Sequence, residues 1–160
     1  MQGGIQMYTF KSAYECESLE EFVREQYRIK FNKGKRGISV DALKWVADQH
    51  QIQYKSNIKR DELFDLLEEN NITPMDLFNY FPHSMGVIHY DYMERFNVTK
   101  SEFQKLKRRE FFEIVDYDRV RIYGGYAEVP VFSAEQFFTM TREKIDEALA
   151  TKVPRKKKSA

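Results

Sequence analysis

The sequence predicts a mainly α-helical protein with one small β-hairpin. Three observations carry this reading. Apolar residues recur at helical spacing near 19–31, 40–49, 60–69, 74–81, 88–96, 100–109 and 134–149. Several of these stretches start behind a Ser or Thr followed three residues later by Glu or Gln, the spacing of a reciprocal N-cap. The segment 119–132 instead alternates with a period of two on either side of Gly124-Gly125, as the two arms of a hairpin do.

At 160 residues the chain is long enough for one domain or two very small ones. Hydrophobic residues make up 42% and aromatics 15%, a composition that builds a packed core rather than a disordered chain. No apolar run approaches the ~20 residues of a membrane span. The start, M-Q-G-G-I-Q-M-Y-T-F, lacks the charged lead and apolar core of a signal peptide, so a cytoplasmic protein is expected. Cys16 is the only cysteine, which excludes an internal disulfide framework and a cysteine-rich metal site.

The net charge of +1 hides an uneven distribution. Arg28, Lys30, Lys33, Lys35 and Arg36 form one basic run, and Lys152, Arg155, Lys156, Lys157 and Lys158 form another. The remainder is net acidic. That excludes a uniformly cationic nucleic-acid binder and leaves a protein that meets phosphate at selected places. At a helix C-terminus, the first run also simply complements the helix dipole.

Tyr8, Phe10 and Tyr14 are spaced for a short strand or an arm on the core. Ser18 caps the first helix, with Glu21 at the reciprocal position. Leu19, Phe22, Val23 and Ile29 form its apolar side, and the helix should end near Asn32. Val40, Leu43 and Ala47 stripe the second helix; Leu63, Phe64, Leu66 and Leu67 stripe the third. Trp45 lies off the second stripe and is expected to pack against the Ser18 helix, the alternative being an exposed anchor for a partner. Residues 52–58 alternate as an extended connection.

This helix, extended loop and helix resemble the HeH/SAP-like family. The matching residues are Leu43, Ile52, Tyr54, Ser56, Asn57, Lys59, Leu63 and Leu67, and the resemblance covers about a fifth of the chain. It implies a nucleic-acid-associated module. The second helix departs from that role, because Asp61, Glu62, Asp65, Glu68 and Glu69 would repel phosphate. Lys55, Lys59 and Arg60 would therefore meet DNA only at that helix's N-terminus. The alternative is a unit that only packs.

Thr73 and Pro74 start a short helix whose Met75, Leu77, Phe78, Tyr80 and Phe81 are mostly core. His83-Ser84-Met85-Gly86 is the most linker-like stretch, which suggests units at 1–82 and 83–150 and a disordered basic tail at 151–160. In the second unit, Asn97-Val98-Thr99 turns between two helices, and Thr99 with Glu102 caps the second. Phe103 and Leu106 face inward; Ser101, Gln104, Lys105 and Arg108 face away. The hairpin follows, with Arg119, Arg121 and Tyr123 alternating against Val120 and Ile122, and Pro130 marking an edge strand. Ser133 and Gln136 cap a last helix carrying Phe137, Phe138, Ile145 and Leu149. That helix is expected to close the core; as a dimerisation arm it would give a homodimer.

The order helix, turn, helix, hairpin, helix is similar to the winged helix-turn-helix of the MerR and excisionase-like families. The resemblance implies double-stranded DNA as partner. The helix 100–109 would lie in the major groove and the hairpin would act as a wing. Gln104 would read adenine, and Lys105 or Arg108 guanine. Lys100, Ser101, Arg119 and Arg121 would supply further contacts, those of Lys100 and Arg119 to the phosphate backbone. A regulatory or accessory protein carried by a phage or plasmid fits this reading. The competing class is a non-enzymatic adaptor or inhibitor of a host nucleic-acid machine, suited by the many Tyr and Phe and the acidic helix 61–69.

Catalytic patterns are missing from the sequence. His50, His83 and His89 have no metal-ligand spacing, no P-loop or GxSxG is present, and Cys16 has no adjacent base. Asp116 and Asp118 bracket Tyr117 in a manner seen in nucleases, but no lysine sits at the usual spacing and a hairpin turn is expected there. The sequence thus points to no enzyme, cofactor or metal.

Overall fold

The computed structural model describes residues 11–29, 31 and 36–151. The expectations for Tyr8, Phe10, Lys30, Lys33, Lys35 and the basic tail from Lys152 onward lie outside the described residues. The order is α1 (Leu19–Gln26), α2 (Val40–Gln49), α3 (Arg60–Glu69), α4 (Pro74–Tyr80), α5 (His89–Phe96), α6 (Lys100–Arg108), β1 (Ile114–Ile122), β2 (Gly125–Phe132), α7 (Ala134–Thr139) and α8 (Arg142–Ala150). The fold is mainly α with one antiparallel hairpin. Among the described residues no helix is long and apolar enough to cross a membrane.

Local chemistry accounts for most helix starts. Thr73 Oγ1 accepts the Asp76 N–H at 3.1 Å and the Asp76 carboxylate accepts the Thr73 N–H at 2.9 Å, with Pro74 in the first turn. Ser18 Oγ accepts the Glu21 N–H at 3.1 Å. Glu21 does not return the bond: its carboxylate accepts from Glu17 N–H and Lys11 instead.

Buried side chains from Ala13 to Ile145 form one hydrophobic cluster. The stretch with a linker's composition is inside it: Met85 and Val87 are buried, and Val87 exchanges both backbone hydrogen bonds with Phe132, at 2.9 and 2.7 Å. Gly86 belongs to this close approach. A Cβ there would lie 2.4 Å from Val131 Cγ1 and 2.8 Å from the Phe132 carbonyl oxygen. The small residues that suggested flexibility are what lets this segment press against β2.

Four expected elements differ. The first helix stops at Gln26 rather than near Asn32, and Ile29 lies beyond it. The last helix is two, because Thr141 Oγ1 accepts the Lys144 N–H at 3.1 Å and starts α8 afresh. The apolar spacing of Phe137, Phe138, Ile145 and Leu149 runs on across that break, which hid it. Phe137 packs on Tyr92 while Ile145 is buried at the α6–α8 contact, and one straight helix would have to serve both. Asp116 and Asp118 are in β1 rather than in a turn. The hairpin loop is Tyr123-Gly124, since Ile122 pairs with Gly125. Gly124 has φ 87°, a conformation open to glycine at little cost.

Trp45 also differs. It is 46% exposed and meets Tyr80 and Phe81 edge-on, with centroids 5.5 and 6.2 Å away, rather than α1. The indole sits on the outer side of α2, where the end of α4 supplies aromatic partners and α1 supplies none.

Candidate nucleic-acid interface

The site is built around α6. Asn97 takes the left-handed conformation, φ 52°, and ends α5. Thr99 Oγ1 accepts the Glu102 N–H at 3.1 Å, and the Glu102 carboxylate accepts the Thr99 N–H at 3.0 Å. That second bond holds the Glu102 carboxyl below its ordinary value. Phe103 stacks on Phe112 with centroids 4.6 Å apart, and Leu106 is fully buried. Two arginines tie α8 to the ends of α5 and α6. Arg142 of α8 donates to the Phe96 and Asn97 carbonyls at 2.8 and 3.2 Å, and Arg109 donates to the Ala148 carbonyl at 2.8 Å. Ile145 is buried, so α8 spends its apolar side closing the core.

With the inner face so held, Lys100, Ser101, Gln104, Lys105 and Arg108 are all exposed. At 100° per residue they cover one continuous face, with Lys100 on one flank and Lys105 on the other. No carboxylate lies on that face: Glu102 is at its edge and engaged in the cap.

The strand register sorts the hairpin into two faces. Tyr117, Arg119 and Arg121 lie opposite Pro130, Glu128 and Tyr126; Asp118, Val120 and Ile122 lie opposite Val129, Ala127 and Gly125. The first face turns toward α6. Glu128 and Pro130 line a groove of about 370 Å³ together with Lys100, Gln104 and Lys107. Arg119 and Arg121 are exposed on the same hairpin face farther out, with the Arg119 guanidinium 4.3 Å from the Tyr126 ring centroid. The second face turns inward at its root, where Asp118 forms an ion pair with Arg36 Nε at 3.3 Å. Arg36 also donates to the Gly86 carbonyl. Glu113 N–H donates to Gln136 Oε1 at 2.8 Å. The root is thereby fastened on both sides.

Of the expected contact residues, Lys100 and Gln104 line this groove; Ser101, Lys105 and Arg108 are exposed on α6 and Arg119 and Arg121 on the hairpin, outside its lining. Lys55 and Lys59 are exposed at the start of α3 and line no part of it. Arg60 is only half-exposed, and its guanidinium is turned onto the protein rather than held out for phosphate. Its guanidinium donates to the carbonyls of Ile38 at 2.8 Å, Ile29 at 2.6 Å and Arg28 at 3.3 Å, and lies over the Phe64 ring. Burial lowers its pKa below the ordinary value. Lys107, which lines the groove, was missed. It lies seven residues from Lys100 and three from Gln104, a spacing that places it on their side of the helix. Tyr90 and Glu128 were visible only once α5 and β2 were in place.

Elsewhere among the described residues the side chains gather no reactive set. Cys16 is buried, which pushes its thiol up to about 11 and fits an inert thiol. His50 shares a 2.8 Å hydrogen bond with Tyr80 Oη. Among the described residues no group of three His, Cys, Asp or Glu could hold a metal ion. Comparison with protein-family models, curated proteins and solved structures returned no match.

Proposed function

We propose that the chain is a DNA-binding regulatory or accessory protein, of the kind a phage or plasmid carries. In this reading α6 enters the major groove of double-stranded DNA and the hairpin is a wing. The observation that carries it is the outward face of α6. It is polar, mostly cationic, free of carboxylates and exposed, while Phe103 and Leu106 are buried, Thr99 and Glu102 cap the start, and Arg109 at the C-terminal end is bonded to the Ala148 carbonyl of α8. Arg119 and Arg121 add cations on the hairpin face that shares the groove. Lys100 and Arg119 are assigned to phosphate, and Gln104, Lys105 and Arg108 to base edges.

The test is a gel shift with genomic fragments at two salt concentrations, followed by the ratio of specific to random affinity. Changing Gln104, Lys105 and Arg108 together to Ala should leave the fold intact. It should bring that ratio toward unity, since each base contact is worth roughly 1–3 kcal/mol of discrimination. Lys100→Ala and Arg119→Ala should weaken both kinds of DNA equally and make the salt slope shallower. A folded triple variant with an unaltered ratio would reject α6 as the reading helix.

A second reading, a protein-binding adaptor, is favoured by one feature. Trp45 and Tyr80 form an exposed aromatic edge beside Phe81 on the helical unit. No DNA binding even at low salt would put this reading first.

A further inference from the structure

We propose that the open edge of β2 takes an extended, acidic segment of a partner protein as an added strand, laid in the groove between the hairpin and α6. This role is independent of DNA binding. The chain itself begins such a strand. Val87 pairs antiparallel with Phe132 and exchanges both backbone hydrogen bonds with it. The next residues then turn away, because α5 starts at His89. Beyond that point β2 runs on to Gly125 with no strand beside it on this edge among the described residues.

The direction of the backbone groups follows from that one pair. Those of Phe132 point away from β1, toward Val87. In an antiparallel ladder that direction recurs at every second residue, so the groups of Pro130, Glu128 and Tyr126 also point away from β1. Pro130 fits its place: it has no N–H, and a position bonded to β1 would need one. The edge therefore offers the Pro130 carbonyl, and both the N–H and the carbonyl of Glu128 and of Tyr126. Among the described residues no backbone hydrogen bond from another element reaches these groups. A row of unpaired strand groups is a template for a further strand.

The surroundings select what kind of segment fits. Val129 lines the groove together with Glu128 and Pro130, although successive side chains of a strand point to opposite faces, so the groove follows the edge itself. Its volume of about 370 Å³ is within the ordinary range of binding clefts. Opposite the edge stand Lys100 and Lys107 of α6 and His89 and Tyr90 of α5. Neither lysine is in an ion pair among the described residues. Glu128, the one carboxylate among the described lining residues, faces Arg119 across the hairpin. An added strand would therefore carry acidic side chains toward α6 at alternate positions. Those are the residues paired with Glu128 and Tyr126, since directly paired residues share a face. Lys100 and Gln104 also belong to the face assigned to DNA, so such a segment and DNA would exclude each other.

The experiment uses the full chain, isotope-labelled for NMR, and acetyl-Val-Glu-Val-Glu-Val-amide at millimolar concentration. The controls are acetyl-Val-Lys-Val-Lys-Val-amide and the acidic peptide N-methylated at both Glu, which keeps the charge and removes the donors that would face β2. The acidic peptide should move the Tyr126 and Glu128 amide signals most and slow their hydrogen exchange. Both controls should bind about tenfold more weakly or worse. Glu128→Pro removes an N–H that β1 does not use, so its thermal melt should be unchanged while its affinity for the acidic peptide falls about tenfold. The charge reversal Lys100→Glu/Lys107→Glu should exchange the preference between the two charged peptides. Unmoved Tyr126 and Glu128 signals overturn the proposal. So does equal binding of the N-methylated peptide, which would mean that charge alone attracts it, or a preference that survives the charge reversal. A Glu128→Pro protein that unfolds would show that this N–H serves the hairpin, and the open edge would fall with it.

Discussion

Two helix–connection–helix units share this chain, and their second helices, α3 and α6, both open on a cation. The cations have opposite fates. Arg60 of α3 turns inward onto three backbone carbonyls. Arg28 crosses to Asp65 and Glu68 on the same helix at 2.7 and 3.1 Å. What α3 leaves outside is acidic: Asp61, Glu62 and Glu69 are exposed. Around α6 the carbonyls that take an arginine are Phe96 and Asn97 at the end of α5, held by Arg142, and Ala148 of α8, held by Arg109, while Lys100, Lys105 and Arg108 remain outside. Basic residues near a helix start therefore say little about phosphate until it is known which carbonyls are nearby and unmatched.

The largest effects should test the parts the two units have in common. Leu67 and Leu106 are both fully buried, so Leu67→Ala and Leu106→Ala should each cost roughly 2–5 kcal/mol in denaturant unfolding. A midpoint unchanged by either would mean that its helix does not dock as described. Gly86→Ala should also be severe, because backbone and a β-branched side chain stand where its Cβ would go. The overpacking cost is about 1–3 kcal/mol.

The next effect separates the units. Arg60→Ala strips donors from three carbonyls and should cost about 2–3 kcal/mol, with little change in DNA affinity. Lys100→Ala should leave stability within about 0.5 kcal/mol and reduce affinity. A stable Arg60→Ala protein that had lost DNA binding would reverse the comparison.

Smaller differences lie at the helix starts. Thr99 caps α6, and Thr99→Ala should cost about 1 kcal/mol. Lys59 stands at the same position of α3 and makes no side-chain cap. Lys59→Ser should thus stabilise the protein by about 0.5–1 kcal/mol. Thermal melts of the two variants should move in opposite directions.

The smallest expected effect is on pH. The Thr99 N–H lowers the Glu102 pKa from 4.5. A carboxyl more acidic in the folded state than in the unfolded one contributes stability above its unfolded pKa and loses it as pH falls through the folded value. Stability should decline as pH drops below about 4.5, and Glu102→Gln should flatten that part of the curve. An identical pH profile for the variant would show that the cap bond is idle in solution.

The sequence alone determined the features that depend on neighbours three or four residues away. Thr73 with Asp76 and Thr99 with Glu102 cap their helices because donor and acceptor lie within one turn. Val120 and Ile122 alternate with Arg119 and Arg121 because strand side chains must alternate. What the sequence could not reach depended on distant groups. The split at Thr141 follows from two different packing partners, Tyr92 for Phe137 and the α6–α8 contact for Ile145. The burial of Met85 and Val87 follows from a close approach that Gly86 permits. Arg60 and Lys100 look alike in the chain, and only tertiary structure separates them. A guanidinium is held wherever folding leaves several carbonyls converging without donors, and that convergence is a property of segments brought together from afar, here Arg28, Ile29 and Ile38.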